Sequence, residues 1–69
     1  MKEFFIKQIN KVEDLAESDY VLQLEDIQKR VSKAYLQGLL SKQEHTELTI
    51  YNAKILMSLN KFYFNNQNN

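Results

Sequence analysis

The chain has 69 residues, no cysteine, no proline and one glycine, and nine Lys and Arg residues balance nine Asp and Glu residues to a formal net charge of zero. This composition leaves no disulfide and no thiolate metal site, gives no basic excess to neutralise nucleic-acid phosphates, and contains no run of about 18 apolar residues that could span a membrane. Because the charged N-terminal segment is also unlike a secretory signal, we expect a cytoplasmic protein without a metal or cofactor.

An apolar stripe at helical spacing predicts a first helix over residues 3–17. The residues on this stripe are Phe5, Ile9, Val12 and Ala16. They follow the i, i+4, i+7, i+11 pattern of one face of an amphipathic helix, and two flanking residues, Ile6 and Leu15, widen it. Polar residues then predict the start of the next helix, with Ser18 or Asp19 as its N-cap.

A second helix is predicted over residues 20–37. Its apolar residues keep a strict 4-3-4-3 spacing, and they are Tyr20, Leu24, Ile27, Val31 and Ala34. Acidic residues lie toward its N-terminal half and basic residues toward its C-terminal half, which complements the helix dipole. The spacing also allows i, i+4 ion pairs between Glu25 and Lys29 and between Asp26 and Arg30.

The single glycine, Gly38, predicts a turn between the second and third helices. Glycine adopts the left-handed conformation that ends a helix without a Cβ penalty. The sequence Ser41-Lys42-Gln43-Glu44 follows at once and matches the S-x-x-E capping box that begins a helix. A stop signal and a start signal separated by two residues predict a helical hairpin with antiparallel neighbours.

The third helix is predicted over residues 42–63 and is apolar on two faces. At about 100° per residue, the main stripe consists of Leu48, Ile55, Leu59 and Phe62. The second stripe lies on roughly the opposite side and consists of Ile50, Ala53, Met57 and Phe64. Residues 65–69 carry no apolar side chain and are predicted to be a disordered tail.

These elements predict one all-α domain over residues 1–64, an antiparallel three-helix bundle built on the hairpin. Two apolar stripes on one helix leave two arrangements open, because a surface helix of a small monomer needs only one. In a monomer, the first helix could cover the second stripe. In a homodimer, two hairpins could form a four-helix bundle, with the first helix packed outside or swapped.

Catalysis is not expected from this inventory of side chains. The one histidine, His45, is predicted to be an exposed residue in the first turn of the third helix, without an acid partner or a pocket. Ser41 is already explained as a helix cap, and one glycine cannot build a phosphate-binding loop. We therefore interpret the chain as a non-enzyme.

Charged residues form two groups. Acidic residues without an intervening Lys or Arg occur at Glu13, Asp14, Glu17, Asp19, Glu25 and Asp26. This group could dock on a basic surface or could simply be solvated. The basic group on the second helix allows a DNA-binding regulator of the helix-turn-helix type as an alternative, although the third helix would then read DNA with only three widely spaced lysines.

The segment KAYLQGLLSKQEHTEL, residues 33–48, resembles the A-Y-x-x-G-x-[LI]-[ST]-x-x-E-x-x-x-L hairpin of small bacterial and phage proteins and of short oligomerisation domains. The size, helicity and Asn/Lys richness also resemble small phage or mobile-element proteins of low-GC bacteria. This resemblance implies a helical hairpin and a protein that acts by stoichiometric binding to a host enzyme or repressor.

Together these features predict a small regulatory or inhibitory protein that binds another protein or a second copy of itself. A structural assembly subunit is a further alternative. The aromatic and methionine residues near the end of the third helix are of the types enriched at interface centres. The predicted interface consists of Ile50, Ala53, Met57, Phe62, Phe64, Glu13, Asp14 and Glu17.

Overall fold

A computed structural model describes residues 1–67, with side chains described for residues 1–65. It contains three helices, α1 (Lys2–Leu15), α2 (Tyr20–Leu36) and α3 (Lys42–Gln67). All three pack against one another in a bundle 46 Å long and 16 Å across. This arrangement confirms the predicted all-α three-helix bundle. None of the described helices is both long and apolar enough to cross a membrane.

The core is a single cluster to which every helix contributes its main apolar stripe. From α1 and α2 the buried residues are Phe5, Ile9, Val12, Tyr20, Leu24, Ile27, Val31 and Ala34, as the spacing predicts. From the turn and α3 they are Leu40, Leu48, Ile55 and Leu59. Contacts near both ends of the bundle join α1 to α3 in the same chain direction, and α2 runs opposite to both.

The connection between α2 and α3 has the local structure that its sequence predicts. Gly38 has a φ of 80°, and the backbone N–H groups of Gly38 and Leu39 donate to the carbonyls of Tyr35 and Ala34 at 3.0 and 2.9 Å. These two bonds define a Schellman motif. The capping box follows, because the Ser41 N–H donates to Glu44 Oε1 at 2.8 Å and the Glu44 N–H donates to Ser41 Oγ at 3.0 Å.

The C-terminal ends of α1 and α3, where there is no glycine, differ from the predicted positions. α1 ends at Leu15, where residue 17 was predicted, because Ala16 takes the left-handed conformation with a φ of 45°. Leu15 is exposed and does not widen the buried stripe. α3 continues to Gln67 because no proline or glycine interrupts it. The predicted tail therefore overlaps the helix at residues 65–67, and residues 68–69 lie outside the described residues.

Asn52 is a buried polar residue that the apolar pattern did not reveal. It occupies the core side of α3, between Leu48 and Ile55, and its Nδ2 donates to the backbone carbonyl of Leu24 at 3.1 Å. A buried amide without a partner would cost free energy, so this bond makes its position tolerable. Asn52 therefore ties the middle of α3 to α2.

Candidate partner-binding surface on α3

The rotation of α3 about its own axis is set first by its buried residues. Leu48, Asn52, Ile55 and Leu59 recur at intervals of three and four residues and all face the core. This stripe accounts for one side of the helix only, because successive residues turn by about 100°. The remaining circumference consists of two flanks that contact α1 and α2, and one side that points away from both.

Side-chain hydrogen bonds on the α2 flank hold this rotation. Gln28 Nε2 donates to Thr49 Oγ1 at 2.7 Å. The Tyr20 hydroxyl donates to Asn60 Oδ1 further along the same flank. Thr49 and Asn60, the two partners on α3, lie on the side of the helix next to its buried stripe. These bonds would break if α3 rolled so as to bury its outer side.

Matching contacts lie on the α1 flank. Lys2 Nζ forms an ion pair with Glu47 Oε1 at 3.0 Å, and this hydrogen bond to Glu47 holds the pKa of Lys2 above its usual value. The Tyr51 hydroxyl donates to Asn10 Oδ1. Because α3 is held on both flanks, the side that carries the second apolar stripe is held pointing outward.

We name this side the outer face of α3 and define it as Ile50, Ala53, Met57 and Phe64. All four side chains are exposed, with fractional exposures of 51% for Ile50, 69% for Met57 and 64% for Phe64. Of the two arrangements left open by the sequence, coverage of this stripe by the first helix does not occur, since α1 contacts α3 through the flank of Glu47 and Tyr51 and leaves all four side chains exposed. The chain thus presents an uncovered apolar surface.

Phe62 lies neither in the buried stripe nor on the outer face, the two places to which the sequence assigns it. It was predicted to belong to the main buried stripe, but it is 48% exposed, and Tyr63 packs against the core in its place. Its ring meets the Tyr63 ring edge-on with 5.3 Å between centroids. At about 100° per residue, Phe62 also points about 140° away from Met57, so it is not part of the outer face.

The three acidic residues of the predicted interface do not lie on α3, the helix that carries the outer face. Glu13 and Asp14 are on the last turn of α1, and Glu17 is in the connection to α2. The carboxylate of Glu17 accepts a hydrogen bond from Gln23 Nε2 at 3.3 Å and borders a groove between α1 and α2. The structure therefore brings four of the five predicted apolar interface residues onto one face of α3, whereas the three acidic ones lie on α1 and its connection to α2.

His45 is partly buried, and the prediction of an exposed histidine is wrong. Its ring packs on Tyr35 with 4.8 Å between centroids, and its Nε2 lies 3.2 Å from Ser32 Oγ. A serine beside a histidine needs a group that orients the imidazole before it can act as a nucleophile. No carboxylate hydrogen-bonds to His45 among the residues with described side chains, and the contact is explained as a link between α2 and the start of α3.

The capping box has a measurable electrostatic consequence. The Ser41 backbone N–H donates to the Glu44 carboxylate, and this bond lowers the pKa of Glu44 below its usual value because it stabilises the ionised form. Across residues 1–65, the structure shows no cluster of three or more His, Asp or Glu side chains that could hold a metal ion.

Comparison of the chain with protein-family models, with curated protein sequences and with solved structures finds no match. A functional proposal for this protein therefore starts from the geometry of its own surfaces.

Proposed function

We propose that this protein is a small regulatory or inhibitory binding module that acts by stoichiometric association with a protein, either another chain or a second copy of itself. The observation that carries the proposal is the outer face of α3. Its large side chains stay exposed although all three helices are packed and the core is complete. Apolar area of this kind gains about 25 cal/mol for each Å² removed from water.

The residue types on the outer face support a protein partner. Met57 and Phe64 belong to the classes enriched at interface centres, and the small Ala53, between Ile50 and Met57, allows the backbone of a second helix to approach closely. The face runs along α3, which hydrogen bonds on both flanks hold in place. A helix presented in this way can enter an apolar groove on a target with little ordering cost.

Regulation would follow from occlusion. A bundle 16 Å across that docks through α3 covers a strip of its target and blocks access by other molecules. The acidic residues Glu13, Asp14 and Glu17 remain free of the outer face and can steer the approach to a basic region beside the target groove.

The arrangement favours protein over DNA as the partner. Helices of a helix-turn-helix motif cross at about 90–120°, whereas the three helices here extend along a common axis in a bundle 46 Å long. The exposed side of α3 presents Ile50 and Met57 beside its lysines, and these apolar side chains offer phosphates nothing to bind.

The test compares two glutamate substitutions at equally exposed positions. Met57 and Leu22 are 69% and 68% exposed, but Leu22 lies on α2 outside the outer face. Tagged wild-type protein, Met57→Glu and Leu22→Glu would be used to capture binding proteins, including an untagged second copy. We expect Met57→Glu to lose its bound protein while Leu22→Glu retains it, with unchanged helicity by circular dichroism. Equal capture by both variants would contradict the proposal.

A further inference from the structure

The outer face belongs to a longer seam with coiled-coil spacing. Exposed residues recur along α3 at intervals of 4, 3, 4, 3 and 4, and they are Thr46, Ile50, Ala53, Met57, Asn60 and Phe64. This alternation is that of the a and d positions through which one helix packs along another. Five of these residues lie on the outward side of α3, and Asn60 lies where this side meets the flank that contacts α2. The inward side of the helix is already buried in its own bundle.

We propose that the occupant of this seam is α3 of a second copy, packed antiparallel about a twofold axis near residue 55. The inference rests on the proposed function, because it names the partner of the outer face. In an antiparallel pair, each a position faces a d position of the other helix. This register sets Met57 against Ala53, Phe64 against Thr46, and Ile50 against Asn60 of the second copy.

Side-chain size supports this register. Every layer pairs a large residue with a smaller one, so that the two helices interdigitate without voids. A parallel pair in register would instead set each residue against its own copy. Phe64 would then face Phe64 and Ala53 would face Ala53, which crowds one layer and leaves a gap in the other.

Charge supports the same register. Glu47, Lys54 and Lys61 follow one another at intervals of seven along the edge of the seam, and all three are exposed. In the antiparallel pair, Glu47 faces Lys61 of the second copy, and symmetry makes this contact twice. Lys54 faces its own copy once, near the axis, and this single like-charge pair opposes the two attractive pairs. Lys2 binds Glu47 Oε1 within the chain, and one carboxylate accepts more than one cation.

The one amide on the seam is Asn60, and its side-chain oxygen already has a hydrogen-bond partner within the chain. The Tyr20 hydroxyl of the same chain donates to its Oδ1. Covering Asn60 with Ile50 of the second copy therefore does not leave this oxygen without a partner, which would cost free energy. A single polar residue on a seam also disfavours shifted registers that would set it between large apolar side chains.

The first experiment reverses charges and measures association by sedimentation equilibrium. Lys61→Glu sets two like-charged pairs in place of two ion pairs, and we expect it to weaken the dimer about tenfold. Adding Glu47→Lys restores the pairs between the chains in opposite polarity, and adding Lys2→Glu with it keeps the ion pair between residues 2 and 47 within the chain, also in opposite polarity. This triple variant should recover most of the affinity. Circular dichroism checks that each variant is folded. A triple variant as weak as Lys61→Glu alone would overturn the proposed register.

The second experiment measures distances between identical spin labels on the two chains. The chain has no cysteine, so Lys54→Cys and Gln43→Cys each provide one labelling site. Labels at residue 54 should lie close together, whereas labels at residue 43 should be about 36 Å apart along the axis, at about 1.5 Å per residue. Short distances at both sites would show a parallel dimer and overturn the proposal.

The oligomeric state separates this inference from the proposed function. A chain that stays monomeric at high micromolar concentration, yet binds a different protein through Met57, would overturn the second copy as occupant and leave the proposed function standing. A monomer that shows no Met57-dependent binding to any protein would overturn both.

Discussion

The hydroxyl of Tyr63 on α3 donates a hydrogen bond to the backbone carbonyl of Ala16, the left-handed residue that ends α1. The Tyr63 ring also stacks on Tyr20, the first residue of α2, with 5.2 Å between centroids and 14° between planes. One side chain thus joins the end of α1 and the start of α2 to the C-terminal half of α3. This contact holds the part of α3 that carries Phe64.

Replacing Tyr63 with phenylalanine should therefore reduce the free energy of unfolding by about 1 kcal/mol, the net contribution of a typical hydrogen bond. The aromatic stacking is retained, so larger losses are not expected. Tyr35→Phe is the matched control, because the described hydrogen bonds include none from its hydroxyl. Chemical denaturation of both variants checks the prediction, and equal stability of the two would contradict it.

Within residues 1–67, two residues have a positive φ, and substitutions at these positions should change stability in opposite directions. Gly38→Ala should destabilise the fold by about 1 kcal/mol, because a left-handed conformation penalises a Cβ. A Cβ at Gly38 would meet no atom within 4 Å, so this penalty is purely conformational. Ala16→Gly relieves the same penalty and should leave stability unchanged or raise it by up to about 1 kcal/mol. Thermal unfolding distinguishes these signs, and a stabilised Gly38→Ala would be incompatible with the Schellman turn.

These two turns also show how far the sequence could predict the fold. The turn between α2 and α3 is as predicted, because Gly38 and the Ser41–Glu44 capping box are residue types that favour a helix end and a helix start through local backbone conformation and local hydrogen bonds. Ala16 carries no such signal, since an alanine adopts a positive φ only when tertiary contacts such as the Tyr63 bond hold it there. The end of α1 could therefore not be read from the local sequence.

The candidate surface could be predicted only in part, because some of its features depend on contacts that form only in the folded protein. The apolar periodicity of α3 correctly separated Ile50, Ala53, Met57 and Phe64 from the core. Periodicity alone could not show that Asn52 replaces an apolar residue in the buried stripe, because its hydrogen bond to Leu24 exists only after folding. Periodicity likewise could not show that Tyr63 packs against the core instead of Phe62, because the Tyr63 hydroxyl bonds to the carbonyl of Ala16, which is distant in the sequence.

The capping box predicts a pH dependence of stability. The pKa of Glu44 is lowered in the folded protein by its hydrogen bonds with Ser41. The stabilisation is fully present above the ordinary carboxyl pKa of about 4.3, and it is lost as the pH falls through the lower folded-state pKa. Glu44→Gln keeps a side chain that can accept from Ser41 but does not titrate, so its stability should depend less on acid pH. If the free energy of unfolding changed equally with pH in both proteins, from about pH 5 down to about pH 2, this assignment would be contradicted.

Alanine substitutions on the buried and outer faces of α3 should differ in their effect on the free energy of unfolding. Leu48 is fully buried, and Leu48→Ala should cost about 3 kcal/mol. A domain of 69 residues has a total stability of only about 3–10 kcal/mol, so this variant should be close to unfolding. Met57→Ala, on the outer face, should change the stability of the monomer by less than about 0.5 kcal/mol. Urea denaturation at low protein concentration measures both, and similar losses would show that Met57 belongs to the core.

The most direct test of the outer face as a binding surface is site-specific photo-crosslinking with benzoylphenylalanine at Met57 and at the equally exposed Leu22. We expect a crosslink from position 57 to a protein, either a second copy or a different chain, and we expect this crosslink to be lost when Ile50→Glu is added. Position 22 should give only background. Equal crosslinking from the two positions, or a crosslink at 57 that survives Ile50→Glu, would contradict the claim that this face binds a partner.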